Sequence, residues 1–316
     1  MICGLSLLPA FYARRGFEPS WSDAQGPLPA ARSLVRLLGG VAEEGLDPQA
    51  YRFDLLQDLL KRAEGAPAEA ALALDLDLLL TDAFLLLASH LRAGRVNPET
   101  LHGEWVVGLE RAAEFLPALE RALLSGDIAA ALAEFRSPHP ETARLREALR
   151  RYRGLEAAGP FPLLPDFARW QPGEEGEVAD LLRERLRREG DLAAGAAGGA
   201  ENLEQALKRF QERHGLEPDG RLGKQTLRAL NLTLAQRIRR LELNLERWRW
   251  LPRELGDPHI RVNIAGFDLV VSEGGAAVLA MRVVAGREVR RTPVFSSLLD
   301  RVVFHPDWNI PRRIAV

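Results

Sequence analysis

Cys3 is the single thiol in a chain of 316 residues. A thiolate nucleophile needs a base to hold it ionised, usually a histidine within hydrogen-bond reach. None of the six histidines (His90, His102, His139, His214, His259 and His305) lies near Cys3 in sequence. It also sits in a terminus expected to fray, which makes it a poor catalytic candidate. One cysteine forbids an intramolecular disulfide and a cysteine-based zinc cluster. The histidines show no ligand spacing. Asp75, Asp82 and Ser89 recur every seven residues with His90 beside them, a set that could hold a metal. The same stripe marks a helix with one narrow edge in water, and without E-x-x-H or H-E-x-x-H spacing the solvated edge is the better reading. GRLGKQT (220–226) fails as a phosphate loop, because Pro218 stands where a Gly must be and Gln225 where Ser or Thr must meet magnesium. These residues therefore imply no nucleotide, no metal and no organic cofactor. Arg287, Arg290 and Arg291, just ahead of Thr292-Pro293, could meet substrate carboxylates through bidentate pairs, although such a cluster is more often merely solvated.

The elements that would position these groups follow from composition and periodicity. Hydrophobic residues make up 47% and charged residues 27%, which is globular composition. The length suggests two or three domains. A formal net charge of −2 gives no electrostatic footprint for nucleic acid. Most arginines lie beside Glu or Asp on helices, as in LRERLRREG (182–190), which reads as a solvated face. MICGLSLLPAF is too short and lacks the charged start of a secretory signal. ALALDLDLLLTDAFLLLASHL (71–91) carries Asp75, Asp77 and Asp82, so it is expected to be a buried helix and not a membrane span.

Residues 11 to about 158 are helical in pattern. GLDPQAY (45–51) and GRVNPET (94–100) each place a Gly that can end a helix before an N-cap, Asp47 or Asn97, and a Pro at the first helical position. GPFPLLPDF (159–167) marks a boundary. Two amphipathic helices follow, with Leu182 and Leu186 on one face and Leu203, Leu207 and Phe210 on the next. A turn at PDG (218–220) and a short helix after Gly223 complete a small bundle. A helix from 235 stacks Ile238, Leu241, Leu245 and Trp248. After 257 short apolar runs are broken by Ala265-Gly266 and Gly274-Gly275, so strands begin, with RVVFH (301–305) as a further one. The fold class is α+β and multidomain. A mainly helical unit spans 1–160, a three-helix module 173–234, a connecting helix 235–257 and a β-unit 258–316.

FQERHGLEPDGRLGKQTLRALN (210–231) is a long ordered set of constraints, each of which can serve folding alone: Phe210, Leu222, Leu227 and Leu230 as core and the glycines as turns. The module resembles the peptidoglycan-binding module of bacterial cell-wall enzymes. FYARRGFEPSW (11–21), GLDPQAY, GRVNP and HPETARLREALRRYR (139–153) resemble the helical scaffold domain of the large L,D-transpeptidases. NLERWRWLP (244–252), VNIAGFDLVV, MRVVAGREVRRTPVFSS (281–297) and VVFHPDWNIP (302–311) resemble the opening of their catalytic β-domain. The resemblance implies a periplasmic or cell-envelope protein whose partners are peptidoglycan stem peptides and the sacculus. Membrane contact would come only through an N-terminal signal or anchor. It also implies Cys-dependent acyl transfer between stems, assisted by a histidine. In the family both residues lie downstream of the W-N-x-P motif, here 308–311, so they are expected beyond Val316 and no catalytic residue is assigned in this chain. The remaining strands are expected to expose unpaired edges. Trp308 could line the donor site, though packing against the sheet is favoured. The alternative is a non-catalytic protein that binds or scaffolds the wall.

Overall fold

The computed structural model describes residues 4–65, 70–101, 114–192, 200–287, 289–305 and 307. The scaffold is helical: α1 (Gly4–Arg14), α2 (Pro29–Gly39), α3 (Phe53–Gly65), α4 (Ala70–Ala93), α5 (Pro98–Leu101), α6 (Phe115–Ser125), α7 (Ile128–Ala133) and α8 (Pro140–Ala157). A two-residue ribbon pairs β1 (Ser22–Asp23) with β2 (Gly26–Pro27), and single 3₁₀ turns cover Val41–Glu44 and Pro48–Tyr51. The small module holds α9 (Glu177–Glu189), α10 (Ala200–Arg213) and α11 (Lys224–Leu230), and α12 (Leu234–Arg249) follows. The chain then enters an antiparallel sheet ordered β3 (His259–Asn263), β4 (Asp268–Glu273) and β5 (Ala276–Arg282). The architecture is α+β.

Helix α4 is apolar almost all round because it is the axis of the scaffold. Leu76, Leu80, Phe84, Leu87 and Leu91 are buried among α1, α2, α3 and α6. Among the described residues no helix is long and apolar enough to cross a membrane. The two sequence-encoded stops form as expected. Gly45 and Gly94 take left-handed φ values of +71° and +82°, and Asp47 and Asn97 each accept from the amide two residues on, both at 2.9 Å. Asp47 opens a 3₁₀ turn, and α3 starts only at Phe53. Gly94 has a second constraint, since a Cβ there would lie 2.6 Å from Glu246 Oε1 and 2.8 Å from Trp250 Nε1.

The acidic residues on α4 are not one solvated edge. Asp75 is exposed, but Asp82 is buried and meets Arg52 at 3.3 Å. Burial pushes its carboxyl up, against the pull of Arg52. The carboxylate that matters most lies outside the seven-residue stripe. Asp77 accepts from Tyr12 Oη at 2.6 Å and from the amides of Ser20 and Trp21, both at 2.7 Å. Among the described residues no cluster of His, Cys, Asp or Glu has metal-binding geometry.

His90 is also structural: its Nδ1 lies 2.8 Å from Tyr51 Oη. Burial, reinforced by the positive charges of Arg95 and Arg249, pulls the imidazole down to about 4, while burial pushes the Tyr51 hydroxyl up. Tyr51 therefore donates to a neutral ring. A histidine depressed on folding contributes stability above its unfolded value near 6.5, and that stability is lost as pH falls towards 4. The expected loss is at most ~3 kcal/mol. Melting temperatures of wild type and His90→Gln between pH 7.5 and 4.5 check this; superimposable profiles would remove His90 as the cause.

The strands at 259–282 form as expected, with their turns at Ala265-Gly266 and Gly274-Gly275. The strand expected at 301–305 does not form. Val302, Val303 and Phe304 are exposed and His305 adopts a φ of +51°. A β-pattern becomes a strand only where a neighbour accepts its ladder bonds, and among the described residues no segment pairs with it. On the sheet Ile260, Val262, Val278, Leu279 and Met281 remain about half exposed.

Candidate functional site

The module is built around Leu182, Leu186, Leu203, Leu207, Phe210, Leu222, Leu227 and Leu230, all buried as their spacing predicts. Leu164 and Trp170, from the Pro-rich stretch ahead of it, close the same core, and Leu222 N donates to Trp170 O at 2.9 Å. Gln211, which the sequence did not single out, organises the loop that follows α10. Its Nε2 donates to Asp219 Oδ1 (2.8 Å) and Arg221 O (3.0 Å), and its Oε1 accepts from Gly220 N at 2.9 Å. Gly220 sits at a φ of +72°, and a Cβ there would lie 2.7 Å from Glu204 Cγ. The PDG turn is thus held in one shape by a buried amide, giving the module a rigid rim between α10 and α11.

LRERLRREG is not a solvated face along its whole length. Arg185 and Glu189 are 0% and 1% exposed, and they form the centre of a charged joint. Glu189 Oε1 meets Arg185 at 2.9 Å and Arg237 of α12 at 3.1 Å. Its Oε2 meets Arg213 at 3.3 Å and accepts from Tyr152 of α8 at 3.1 Å. Arg213 also pairs with Asp191 at 2.6 Å, and Phe161 lies over the Arg185 guanidinium at 3.9 Å. Burial alone would raise the Glu189 carboxyl; Arg237, Arg185 and Arg213 outweigh it and hold it below the usual carboxylate range. His214 completes the joint as a neutral ring. Its Nδ1 lies 2.8 Å from Phe210 O, and Arg237, which can only donate, lies 2.8 Å from its Nε2. Burial lowers its proton affinity in the same sense. The i, i+4 charges of α9 are sequence-local, but the residues that bury them come from α8, α10 and α12. Sequence spacing could not reveal that.

The sheet is tied back to the scaffold at a second seam. Arg261 of β3 meets Glu141 of α8 at 2.5 Å and lies over Trp248, while His139 Nε2 is 2.8 Å from Pro252 O. At a third, Glu44 receives Arg136 and Arg146 at 2.8 and 2.9 Å, and Glu246 of α12 accepts from Arg95 N and Val96 N.

The sequence-predicted arginines lie beyond β5. Arg287 and Arg290 face each other across a tight turn in which Arg290 N donates to Arg287 O at 2.9 Å, and Gly286 N donates to Thr292 Oγ1 at 2.7 Å. Arg287, Arg290 and Arg291 are all exposed. The turn gathers them on one short segment. Trp308 lies outside the described residues, as do Cys3 and His102.

Comparison with known proteins matches these units in the same order. Residues 6–149 match the family described as "Scaffold domain", and residues 176–230 match "Putative peptidoglycan binding domain". The chain therefore carries, in this order, a unit similar to that scaffold domain and a unit similar to that peptidoglycan-binding domain. A protein of Haemophilus influenzae named "Putative L,D-transpeptidase" is 34% identical over 106 residues, covering 31% of this chain and 21% of that protein. Together these findings make the chain similar to an L,D-transpeptidase over that stretch and in the kinds of unit it carries. The match spans about a fifth of that relative's length.

Proposed function

We infer that this chain docks peptidoglycan in the cell envelope, on the periplasmic side, as part of L,D-transpeptidase cross-linking of the wall. The observation that carries this reading is a module matched to a peptidoglycan-binding family and fixed to its scaffold by a buried charged joint. A loosely tethered module would only concentrate the chain at the wall, whereas a clamped one also orients it. In the chemistry the resemblance implies, a cysteine thiolate adds to the diaminopimelate carbonyl of a donor tetrapeptide. The tetrahedral oxyanion collapses, D-alanine leaves as the amine with the proton that the histidine took from the thiol, and a thioester remains. An acceptor amine then attacks the thioester, forming the new amide and returning the thiolate. The proposed role of residues 1–316 is recognition, with Arg287, Arg290 and Arg291 offered to substrate carboxylates. Cys3, the single cysteine, has no part in the transfer.

Purified chain is expected to co-sediment with sacculi and to gain no mass on incubation with a carbapenem. Chain that stays in the supernatant would remove the wall-docking reading. A carbapenem adduct on Cys3, with turnover of a tetrapeptide donor, would instead make this chain the transferase itself.

A further inference from the structure

A cleft of about 680 Å³ opens between the scaffold and the segment that leads into β3, and its lining includes no residue of the module or of the Arg287–Arg291 turn. This size lies in the range of clefts that hold small ligands and short peptides. Its apolar wall includes Phe135. Two guanidiniums enter it from different parts of the chain: Arg92 from the end of α4 and Arg253 from the stretch after α12. Arg92 is nearly buried, its side chain 11% exposed, and it meets the exposed Glu114 at 4.0 Å. Arg253 is held in place by donating to Arg136 O at 2.8 Å. Both cations are therefore positioned before any ligand arrives. A third arginine in the cleft, Arg121, is neutralised by Glu134 at 2.8 Å. Glu254, also lining the cleft, is exposed.

We propose that this cleft is a second recognition site, on the scaffold, for a short peptide bearing several carboxylates and one free amine. Its carboxylates would bridge Arg92 and Arg253, and its amine would meet Glu254. Resting on the wall-docking reading above, the ligand of this class is a peptidoglycan stem tetrapeptide. Its small alanine methyls suit the apolar lining of Pro117 and Pro252, backed by the buried Phe135, and its carboxylates suit paired guanidinium forks better than point charges. Electrostatics act in the same direction. Burial first, and then the charge of Arg253, lower the proton affinity of Arg92, so an anion placed between the two relieves their repulsion. The site joins the two halves of the chain, because one cation belongs to the scaffold and the other to the lead-in to the sheet.

The test is calorimetric titration of the full chain with soluble stem tetrapeptide, beside sacculus co-sedimentation of the same preparations. Arg253→Glu is expected to weaken tetrapeptide binding by roughly tenfold to a hundredfold, the range for one charge-assisted pair. Arg253→Lys, a point charge in place of a fork, should fall between wild type and Arg253→Glu, and Glu254→Lys should weaken binding, with sacculus binding unchanged in all three. Arg92 is too buried for its substitution to be informative alone, so the exposed Glu254 supplies the independent variant. Equal tetrapeptide binding by wild type and Arg253→Glu would overturn the proposal, as would equal affinity for an all-glutamate peptide. Sacculus binding without tetrapeptide binding would remove this site and leave the wall-docking reading standing. Loss of both in the wild-type chain would count against both.

Discussion

A Glu189→Gln chain is expected to lose ~3–5 kcal/mol of stability, the cost of breaking a buried ion pair from one side. The substitution keeps shape and removes charge. It leaves Arg185, Arg213 and Arg237 converging on a neutral amide, with only Asp191 to answer Arg213. Glu184→Gln is the matched control, one turn away on the same helix. Its partner Arg187 is 2.8 Å distant, but both side chains are nearly half exposed, so its loss should stay within about 0.5 kcal/mol. Denaturant midpoints and limited proteolysis of the 159–170 stretch measure the difference. Glu189→Gln should move the midpoint and open that stretch to cleavage, since Phe161 rests on the Arg185 guanidinium and Leu164 and Trp170, a few residues on, pack into the module core. If both variants melt together, the joint does not clamp the module.

The second large effect is expected at Asp77. Replacement by Ala strands two amides, Ser20 N and Trp21 N, in a site where water does not replace the carboxylate, while the Tyr12 hydroxyl keeps Thr81 Oγ1 at 2.8 Å and the carbonyl of residue 77 at 3.1 Å. At about 1–3 kcal/mol for each orphaned donor, the total should approach 3–5 kcal/mol. Burial, joined by Asp77, pushes the Tyr12 hydroxyl up, so it stays protonated and cannot escape by ionising. Asp77→Asn keeps an acceptor for the amides and should cost about 1–2 kcal/mol. Hydrogen exchange at Ser20 and Trp21 reports the local loss. Trp21 fluorescence gives a second reading, because its Nε1 donates to Thr81 Oγ1 at 2.9 Å beside the site. Unchanged exchange at both amides in Asp77→Ala would show that the carboxylate does not hold the 20–21 segment.

What could be read from sequence, and what could not, divides by the range of the interactions involved. Asp47, Asn97, Gly45 and Gly94 act within a few residues of themselves, so their roles as caps and stops were readable. The module core repeats on helical spacing and was equally plain. Asp77 and Asp82 sit on the same helix as Asp75, and only tertiary neighbours decide which of them is buried. Arg185 and Glu189 look like any surface i, i+4 pair until Tyr152 and Arg237 cover them. The stretch 301–305 has the composition of a strand but pairs with no described segment. The predicted arginines do share one turn, whereas the Arg92–Arg253 cleft joins residues that no local pattern could link.

Helix α8 touches the module through Tyr152 and the sheet through Glu141. Eleven residues separate those positions, which at the helical rise is about 16 Å. A stiff rod of that length makes the protein a calliper and not a leash: whatever the module holds lies at a set offset from the strands at the other end.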